Sequence, residues 1–137
     1  MNISSNQRGF TIVELLVVIV VIAILVALTL PNLFGLQKRA RDDTRKNDLK
    51  NLQQALETYY NDNNRYPAAL SALATQYINS VPSDPKGTAY TYTPAPSGCA
   101  TTGGTACSSY TLSATLENTS DPAAGSGGAY TVNSVAQ

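Results

Sequence analysis

Residues 9–31 decide the fold and read Gly9-Phe-Thr-Ile-Val-Glu14-Leu-Leu-Val-Val-Ile-Val-Val-Ile-Ala-Ile-Leu-Val-Ala-Leu-Thr-Leu-Pro31. From Phe10 to Leu30 this stretch is almost wholly apolar, and Glu14 is its one charged residue. As a helix that rises about 1.5 Å per residue, it would span roughly 30 Å, the thickness of the hydrocarbon core of a bilayer. The sequence therefore predicts a membrane-spanning helix over residues 10–30.

Glu14 is the anomaly within this apolar helix. A carboxylate among lipid tails costs about 2.5–3.5 kcal/mol on insertion scales, so an acid there usually has a partner or a function. One alternative stays open at this point. Because Glu14 lies near the start of the stretch, its side chain could simply reach water at the membrane interface.

The composition limits the classes of function that the chain can have. Its 137 residues leave room for one modest domain beyond the membrane segment. Nine basic and nine acidic residues give a net charge of zero, so nothing favours nucleic acid as a partner. The sequence contains no His, which excludes a His-based catalytic triad and a His-containing zinc site.

The first nine residues do not form a conventional signal peptide. They are short and polar, with Arg8 as the only charged side chain, and they end in Arg-Gly directly before the apolar run. A secretory signal peptide has the opposite order, with its apolar core before a small-residue cleavage site. Ordinary signal peptidase would have to cut near Ala23 or Ala27, inside a block of Val, Ile and Leu, which disfavours this reading.

A second helical pattern follows Pro31. Residues 38–50 carry six basic and three acidic side chains, and we interpret them as a solvated helix face near lipid headgroups, with a dedicated binding patch as the alternative. An apolar stripe then recurs at helical spacing and must lie against another part of the chain; it comprises Leu49, Leu52, Ala55, Leu56, Tyr59 and Tyr60.

One helix is therefore predicted from Phe10 to about Asn61, where an Asn/Asp-rich segment before Pro67 ends it. Its length would be roughly 75–80 Å. Pro31 and Gly35 are the expected points of bending or local melting, although a lone Pro could merely mark the exit from the membrane.

The second half of the chain predicts a short helix and three strands. The helix is expected within residues 68–80, and the strands over Tyr90–Thr93, Ser109–Glu117 and Ala129–Val135. Turn-rich segments link the strands, which suggests a small antiparallel sheet packed on the apolar stripe. The predicted fold class is α+β.

Cys99 and Cys107 flank a short Ala/Thr/Gly segment between the first two strands. We predict a disulfide, which would stabilise by about 2–3 kcal/mol in the chain-entropy model. A cysteine pair beyond a membrane segment fits an oxidising compartment. Two reduced thiols or half of a metal site are poorer readings, since no other soft ligand is available.

The junction of Arg8-Gly9 with Phe10-Thr-Ile-Val-Glu14 resembles the class III signal of type IV pilins and type II secretion pseudopilins. The resemblance implies that prepilin peptidase cuts between Gly9 and Phe10 and that the new amino group of Phe10 is N-methylated. It also implies that Glu14 pairs with the Phe10 amine of an adjacent subunit and sets the register of assembly. Pro31 stands at the family's usual place.

This resemblance organises the chain into four parts. They are a leader at 1–9 that is removed, a transmembrane and assembly helix at 10–30, its amphipathic continuation at 31–61, and a C-terminal globular region at 62–137. A long helix followed by such a sheet is the pilin-like fold. The leader would be cytoplasmic and the globular region outside the bacterial inner membrane.

A weaker likeness to the major pseudopilin of type II secretion continues through Tyr60–Pro67, Tyr77–Pro85 and Tyr90–Tyr92. There are three departures from the family pattern. Lys86 stands where an aromatic residue often follows Asp-Pro. The cysteines lie between strands, whereas many adhesive pilins have them at the C-terminal end.

The third departure concerns the calcium-binding loop of that family, which is richer in acids than residues 118–128. Asp121 is the only acid in this loop. We therefore expect no cofactor and no metal, with calcium at Asp121 as a weak possibility.

The function that the sequence favours is a structural subunit of a pilus-like filament, with a lean to the major pseudopilin of a type II secretion system. The alternatives are a type IV pilin for adhesion, twitching motility or DNA uptake, and a single-pass membrane-anchored binding protein. An enzyme is disfavoured, since no credible catalytic arrangement exists without His.

The partners that the resemblance implies belong to filament assembly. They are further copies of the chain, minor pilins or pseudopilins, the prepilin peptidase and methyltransferase, and an inner-membrane platform driven by a cytoplasmic ATPase. Membrane lipid surrounds the apolar helix before assembly. No direct nucleic-acid binding is expected.

Overall fold

A computed structural model describes residues 9–135, apart from the side chains of residues 30–34. The leader prediction therefore lies outside the described residues except for Gly9. The chain divides into two compact units, Met1–Gln37 and Lys38–Gln137. In chain order the elements are helix α1 (Ile12–Asn63), a 3-10 helix (Leu70–Leu73), strands β1 (Thr91–Ala95) and β2 (Ser109–Thr115), a second 3-10 helix (Ser126–Gly128) and strand β3 (Ala129–Asn133).

Helix α1 is 52 residues long, which confirms the single long helix. It ends two residues later than predicted. Asn63 prolongs it by donating a side-chain hydrogen bond to the carbonyl of Tyr59 at 2.9 Å. Asn64 then adopts a positive φ of 53° and its N–H bonds the carbonyl of Tyr60 at 2.7 Å, so the helix closes with a left-handed residue that Asn tolerates.

The part of α1 that lies in the first unit is apolar and exposed. Residues Ile12–Thr29 have a mean hydropathy of 3.2, and none of this window is buried within the chain. By length and composition this segment is able to cross a membrane. The predicted span at residues 10–30 is thus a continuous helix from Ile12 onward.

The sheet in the second unit has the order β1-β2-β3, and both pairs are antiparallel. Leu112 of the central strand lies opposite Tyr92 on one side and Val132 on the other. On β2 the side chains of Tyr110, Leu112 and Ala114 are buried, whereas Thr111 and Thr115 are exposed. This alternation confirms the predicted inner and outer faces of the strand.

The core of the second unit joins α1 to the inner face of this sheet. Leu49, Leu52 and Leu56 are fully buried and belong to one cluster with Tyr110 and Leu112. The apolar stripe of the helix therefore packs on the sheet as predicted. At 3.6 residues per turn these leucines share one face of α1, which is why burial selects them together.

Tyrosine hydroxyls in this core are paired with helix carboxylates. Glu57 of α1 accepts hydrogen bonds from the hydroxyls of Tyr66 at 2.9 Å and Tyr110 at 3.1 Å, and from the N–H of Val135 at 3.1 Å. The rings of Tyr66 and Tyr110 meet edge to face at 4.7 Å. One carboxylate thus holds both a core aromatic pair and the segment that follows β3.

The predicted helix within residues 68–80 is wrong in length and type. Only Leu70–Leu73 is helical, and as a 3-10 turn. Ala74 is extended, and Thr75 has a positive φ of 74°, which an α-helix does not permit. Buried Leu73 anchors the turn, and its carbonyl accepts the N–H groups of Tyr77 and Ile78, both at 3.1 Å.

The strand boundaries differ from the prediction by one or two residues. β1 begins at Thr91 and runs to Ala95, one residue later at the start and two later at the end. β2 and β3 each stop two residues early, at Thr115 and Asn133. At the end of β2 the chain turns because Glu117 enters a network of charged side chains, described below.

The predicted disulfide joins Cys99 to Cys107 across eight positions of the β1–β2 connection. Cys107 is fully buried in the core, and its carbonyl accepts the N–H of Tyr66 at 2.8 Å. The bond therefore ties an exposed Gly/Thr loop to the segment that follows α1.

Replacing both cysteines, as Cys99→Ala with Cys107→Ala, is expected to destabilise the chain by about 2–3 kcal/mol. The unfolded chain regains the freedom that the short covalent loop removed. Urea unfolding of the full chain in detergent measures the loss. Reducing agent should lower the stability of the parent chain by a similar amount and leave the double variant unchanged; equal midpoints for parent and variant would refute the prediction.

Candidate functional site

The first turn of α1 is closed by two side chains. The N–H of Glu14 donates to Thr11 Oγ1 at 3.2 Å, while the backbone N–H of Thr11 donates to Glu14 Oε2 at 3.2 Å. The hydroxyl of Thr11 also bonds Oε2 at 3.1 Å. This is a capping box, in which each residue satisfies a backbone donor of the other.

The capping box gives Glu14 a role within its own subunit. Its carboxylate turns back toward the start of the helix, where it offsets the positive end of the helix dipole. Phe10 immediately precedes Thr11 and is 86% exposed. Thr11 is not among the predicted site residues, although the Thr-x-x-Glu spacing is the signature of this motif.

From the first turn of α1 onward, the helix surface at residues 12–28 is apolar on all sides apart from Glu14, and we call this surface the apolar cylinder. The large aliphatic side chains from Ile12 to Leu28 are each between 47% and 85% exposed. Water does not solvate such a surface well, and a patch of this size marks contact with membrane or protein. Lipid chains or neighbouring apolar helices are the environments that match it.

Pro31 and Gly35 both lie within α1, whose helical assignment continues through them. A Cβ built on Gly35 would meet no atom within 4 Å, so crowding does not require a glycine there. Their predicted role in bending or local melting stays a prediction.

The second unit contains a buried charged cluster, formed by Asp42, Arg45, Asp84 and Glu117. Arg45 is 3% exposed and forms a two-pronged pair with the carboxylate of Asp84, one bond of which measures 3.0 Å. Its remaining nitrogen donates to Asp42 at 2.6 Å and to Glu117 at 3.0 Å. One guanidinium therefore joins three carboxylates from three segments of the chain.

Asp42 extends this cluster to the backbone after β2. It is 1% exposed, and its two oxygens accept the N–H groups of Glu117 at 2.9 Å and Asn118 at 2.8 Å. Together with Arg45, these donors compensate the loss of water around a buried carboxylate.

Glu117 carries the outer side of the charged cluster. Arg41 donates to both of its oxygens at 2.7 Å, and Lys86 lies 3.1 Å away. The hydrogen bonds from Arg41, and then those from Lys86 and Arg45, hold the pKa of Glu117 well below its usual range. The pKa of Asp84 is lowered chiefly by its pairing with Arg45.

This cluster corrects the interpretation of residues 38–50 as a solvated charged face at two positions, Asp42 and Arg45, whereas Lys38, Arg39, Asp43 and Lys50 are exposed as predicted. Asp42 and Arg45 are buried because they continue the stripe of Leu49, Leu52 and Leu56 toward the N-terminus of the helix. Positions 42, 45, 49, 52 and 56 share one helix face, and this spacing could have identified them. The charges of the cluster bond one another, and they fasten two segments to α1: the segment around Asp84, which precedes β1, and the segment that follows β2 at Glu117. We assign the cluster no catalytic role.

Asp121, the weak calcium candidate, is also engaged by the chain itself. One oxygen pairs with the ammonium group of Lys46 and the other accepts the N–H of Ala123 at 2.9 Å. Within the part of the chain that the structure describes, no group of three or more His, Cys, Asp or Glu side chains is placed to hold a metal. Calcium at Asp121 stays a prediction, for a carboxylate whose two oxygens are both engaged by the chain.

Comparison with known proteins matches two family models to this chain. The prokaryotic N-terminal methylation motif covers residues 4–30, and type II secretion system protein G covers residues 32–102. No solved structure gives a significant match.

Curated relatives point the same way. The chain is 40% identical over 102 residues to "Type II secretion system core protein G" of Pectobacterium carotovorum and 38% identical over 102 residues to that of Aeromonas hydrophila, in each case over 62% of this chain. It is also 40% identical over 79 residues, 58% of its length, to "Type IV wide pilus major component PilA4" of Thermus thermophilus. The matches span 65%, 71% and 60% of these three proteins.

An exposed apolar helix within a methylation motif, continued by a helix packed on a three-stranded antiparallel sheet, defines a pilin-like structural subunit. The more specific assignment rests on the second family model, which covers half of the sequence. The chain belongs to the type II secretion system protein G family, whose members are pseudopilins.

Proposed function

We propose that this chain is the major pseudopilin of a type II secretion system and assembles into a filament from the inner membrane. The observation that carries the proposal is the apolar cylinder of α1, exposed along Ile12–Thr29 and headed by an acid in its first turn. A filament core of packed helices covers such a surface, and an acid at its end provides a point of register.

Maturation precedes assembly in this proposal. Prepilin peptidase cuts between Gly9 and Phe10, and the new amine of Phe10 is methylated. The leader lies in the cytoplasm and the globular unit outside the membrane. The match of the methylation motif to residues 4–30 supports this order of events.

Charge pairing then selects the register between subunits. In a low-dielectric bundle an unpaired carboxylate and an unpaired amine are each costly, whereas a pair offsets both penalties. Glu14 of one subunit facing the Phe10 amine of the next makes such a pair. Contacts of this head-to-tail kind do not close, and they generate a helical fibre.

The remaining partners are those of the assembly machinery. We propose minor pseudopilins in the same filament and an inner-membrane platform driven by a separate cytoplasmic ATPase. The chain itself performs no catalysis in this proposal, and calcium is not part of its mechanism.

A second candidate is a type IV pilin. The name of the Thermus relative favours it, since that protein is described as the major component of a wide pilus. Deleting the gene separates the candidates: a secretion defect without loss of surface pili supports the pseudopilin, and loss of pili with normal secretion supports the pilin.

The mature N-terminus provides the direct test of maturation. Mass spectrometry of the protein from its host should show a chain that begins at Phe10 and carries one extra methyl group. A Gly9→Val variant should retain Met1, because the glycine before Phe10 is part of the motif that the proposed cleavage depends on. A parent chain that begins at Met1 would contradict the proposal and favour a permanent membrane anchor.

A further inference from the structure

The loop between β2 and β3, residues 118–128, is held by a lysine. The ammonium group of Lys46 on α1 pairs with one oxygen of Asp121, and their side chains are only 20% and 17% exposed. The second oxygen of Asp121 accepts the N–H of Ala123 at 2.9 Å. Both oxygens of the only acid in the loop are thus occupied.

The rest of the loop closes through backbone hydrogen bonds. Leu116 donates to Gly128 and Gly125 donates to Ala129, both at 2.8 Å, while Ala124 donates to Asp121 at 2.9 Å. Asp42 binds the two N–H groups at the entrance of the loop. These bonds shape the loop, and the pair of Lys46 with Asp121 joins it to the helix.

Calcium requires six to eight oxygen ligands, usually with several carboxylates among them. A single carboxylate cannot supply that set. The ammonium group also repels a divalent ion, and its pairing with Asp121 raises the pKa of Lys46, which keeps the charge in place. The ammonium group of Lys46 therefore already occupies the carboxylate that a calcium ion would have to bind.

We propose that Lys46, and not a bound calcium ion, is the cation that fastens loop 118–128 to α1, so that this pseudopilin folds and assembles independently of calcium. The inference concerns the fold of the globular unit and holds whichever filament system the chain serves.

The test compares thermal unfolding of the full chain in detergent, with about 1 mM calcium, near the affinities of extracellular calcium modules, and with excess chelator. The parent chain should show the same Tm in both conditions. Lys46→Met should lower the Tm by about 4–8 °C, without rescue by calcium. Lys50→Met, one turn further along α1 at an exposed position, is the matched control and should leave the Tm unchanged.

A second measurement separates the ion pair from a general defect in folding. Asp121→Asn should lower the Tm as Lys46→Met does, and the double variant should lose little more than either single variant. Hydrogen exchange of residues 118–128 should be faster in both single variants than in the parent chain. A calcium-dependent rise in the parent's Tm, or independent effects of the two substitutions, would overturn the inference.

Discussion

Arg45→Met is expected to destabilise the globular unit by about 3–5 kcal/mol, the usual cost of removing one partner from a buried ion pair. Methionine fills much of the space of the arginine stem but carries no charge. The carboxylates of Asp42 and Asp84, which are 1% and 9% exposed, then remain buried without the guanidinium that bonds both. Few single substitutions in this chain should have a larger effect on stability.

This effect is measured by urea unfolding of the full chain in detergent, with circular dichroism as the signal. Arg39→Met is the matched control, because Arg39 lies on the same helix and is exposed. Arg45→Lys should recover only part of the loss, since an ammonium group cannot pair in two prongs with Asp84. A midpoint for Arg45→Met equal to that of the control would show that the cluster contributes nothing.

The same cluster predicts the direction of the pH dependence. The pKa values of Asp84 and Glu117 are lower in the folded chain than their ordinary values of 3.8 and 4.5. As the pH falls, the unfolded chain therefore binds protons at a higher pH than the folded chain does. The stability that these carboxylates provide is complete above about pH 5 and declines as the pH falls below it. The difference in free energy of unfolding between the parent chain and Arg45→Met should therefore become smaller at acid pH. Protonated carboxyl groups carry no charge for the guanidinium to compensate.

Much of the fold was predictable because its apolar positions repeat with a clear period. The stripe of Leu49, Leu52 and Leu56 and the alternation along β2 each identify a buried face without knowledge of its partner. The membrane-length helix needs only composition and length. The disulfide was predictable too, since the chain has only two cysteines and they lie close in sequence.

The charged cluster was not predictable to the same degree. Arg45 pairs with Asp84 and Glu117, which lie 39 and 72 positions away in the sequence. The residue type of a charged side chain does not indicate whether that side chain is buried. Only the helix face shared with Leu49 hinted at burial. The 3-10 turn at Leu70–Leu73 likewise depends on the left-handed Thr75 that follows, a conformation that the local sequence did not indicate.

Glu14 performs two tasks that can be separated by substitution. Within its own subunit it completes the capping box with Thr11. Between subunits we propose that it pairs with the amine of Phe10. A glutamine at this position retains the cap, because an amide oxygen serves a capping box as a carboxylate does. The same glutamine has no charge to offer an amine.

Glu14→Ala and Glu14→Gln should both abolish detectable filaments while leaving membrane insertion intact, because loss of the charge removes the register but spares the apolar helix. Thr11→Ala is the matched control: it removes the cap, at about 0.5–2 kcal/mol, and keeps the charge, so filaments should persist. Membrane fractionation measures insertion and negative-stain microscopy measures assembly. Normal filaments from Glu14→Gln would show that capping suffices, and normal filaments from Glu14→Ala would remove Glu14 from assembly altogether.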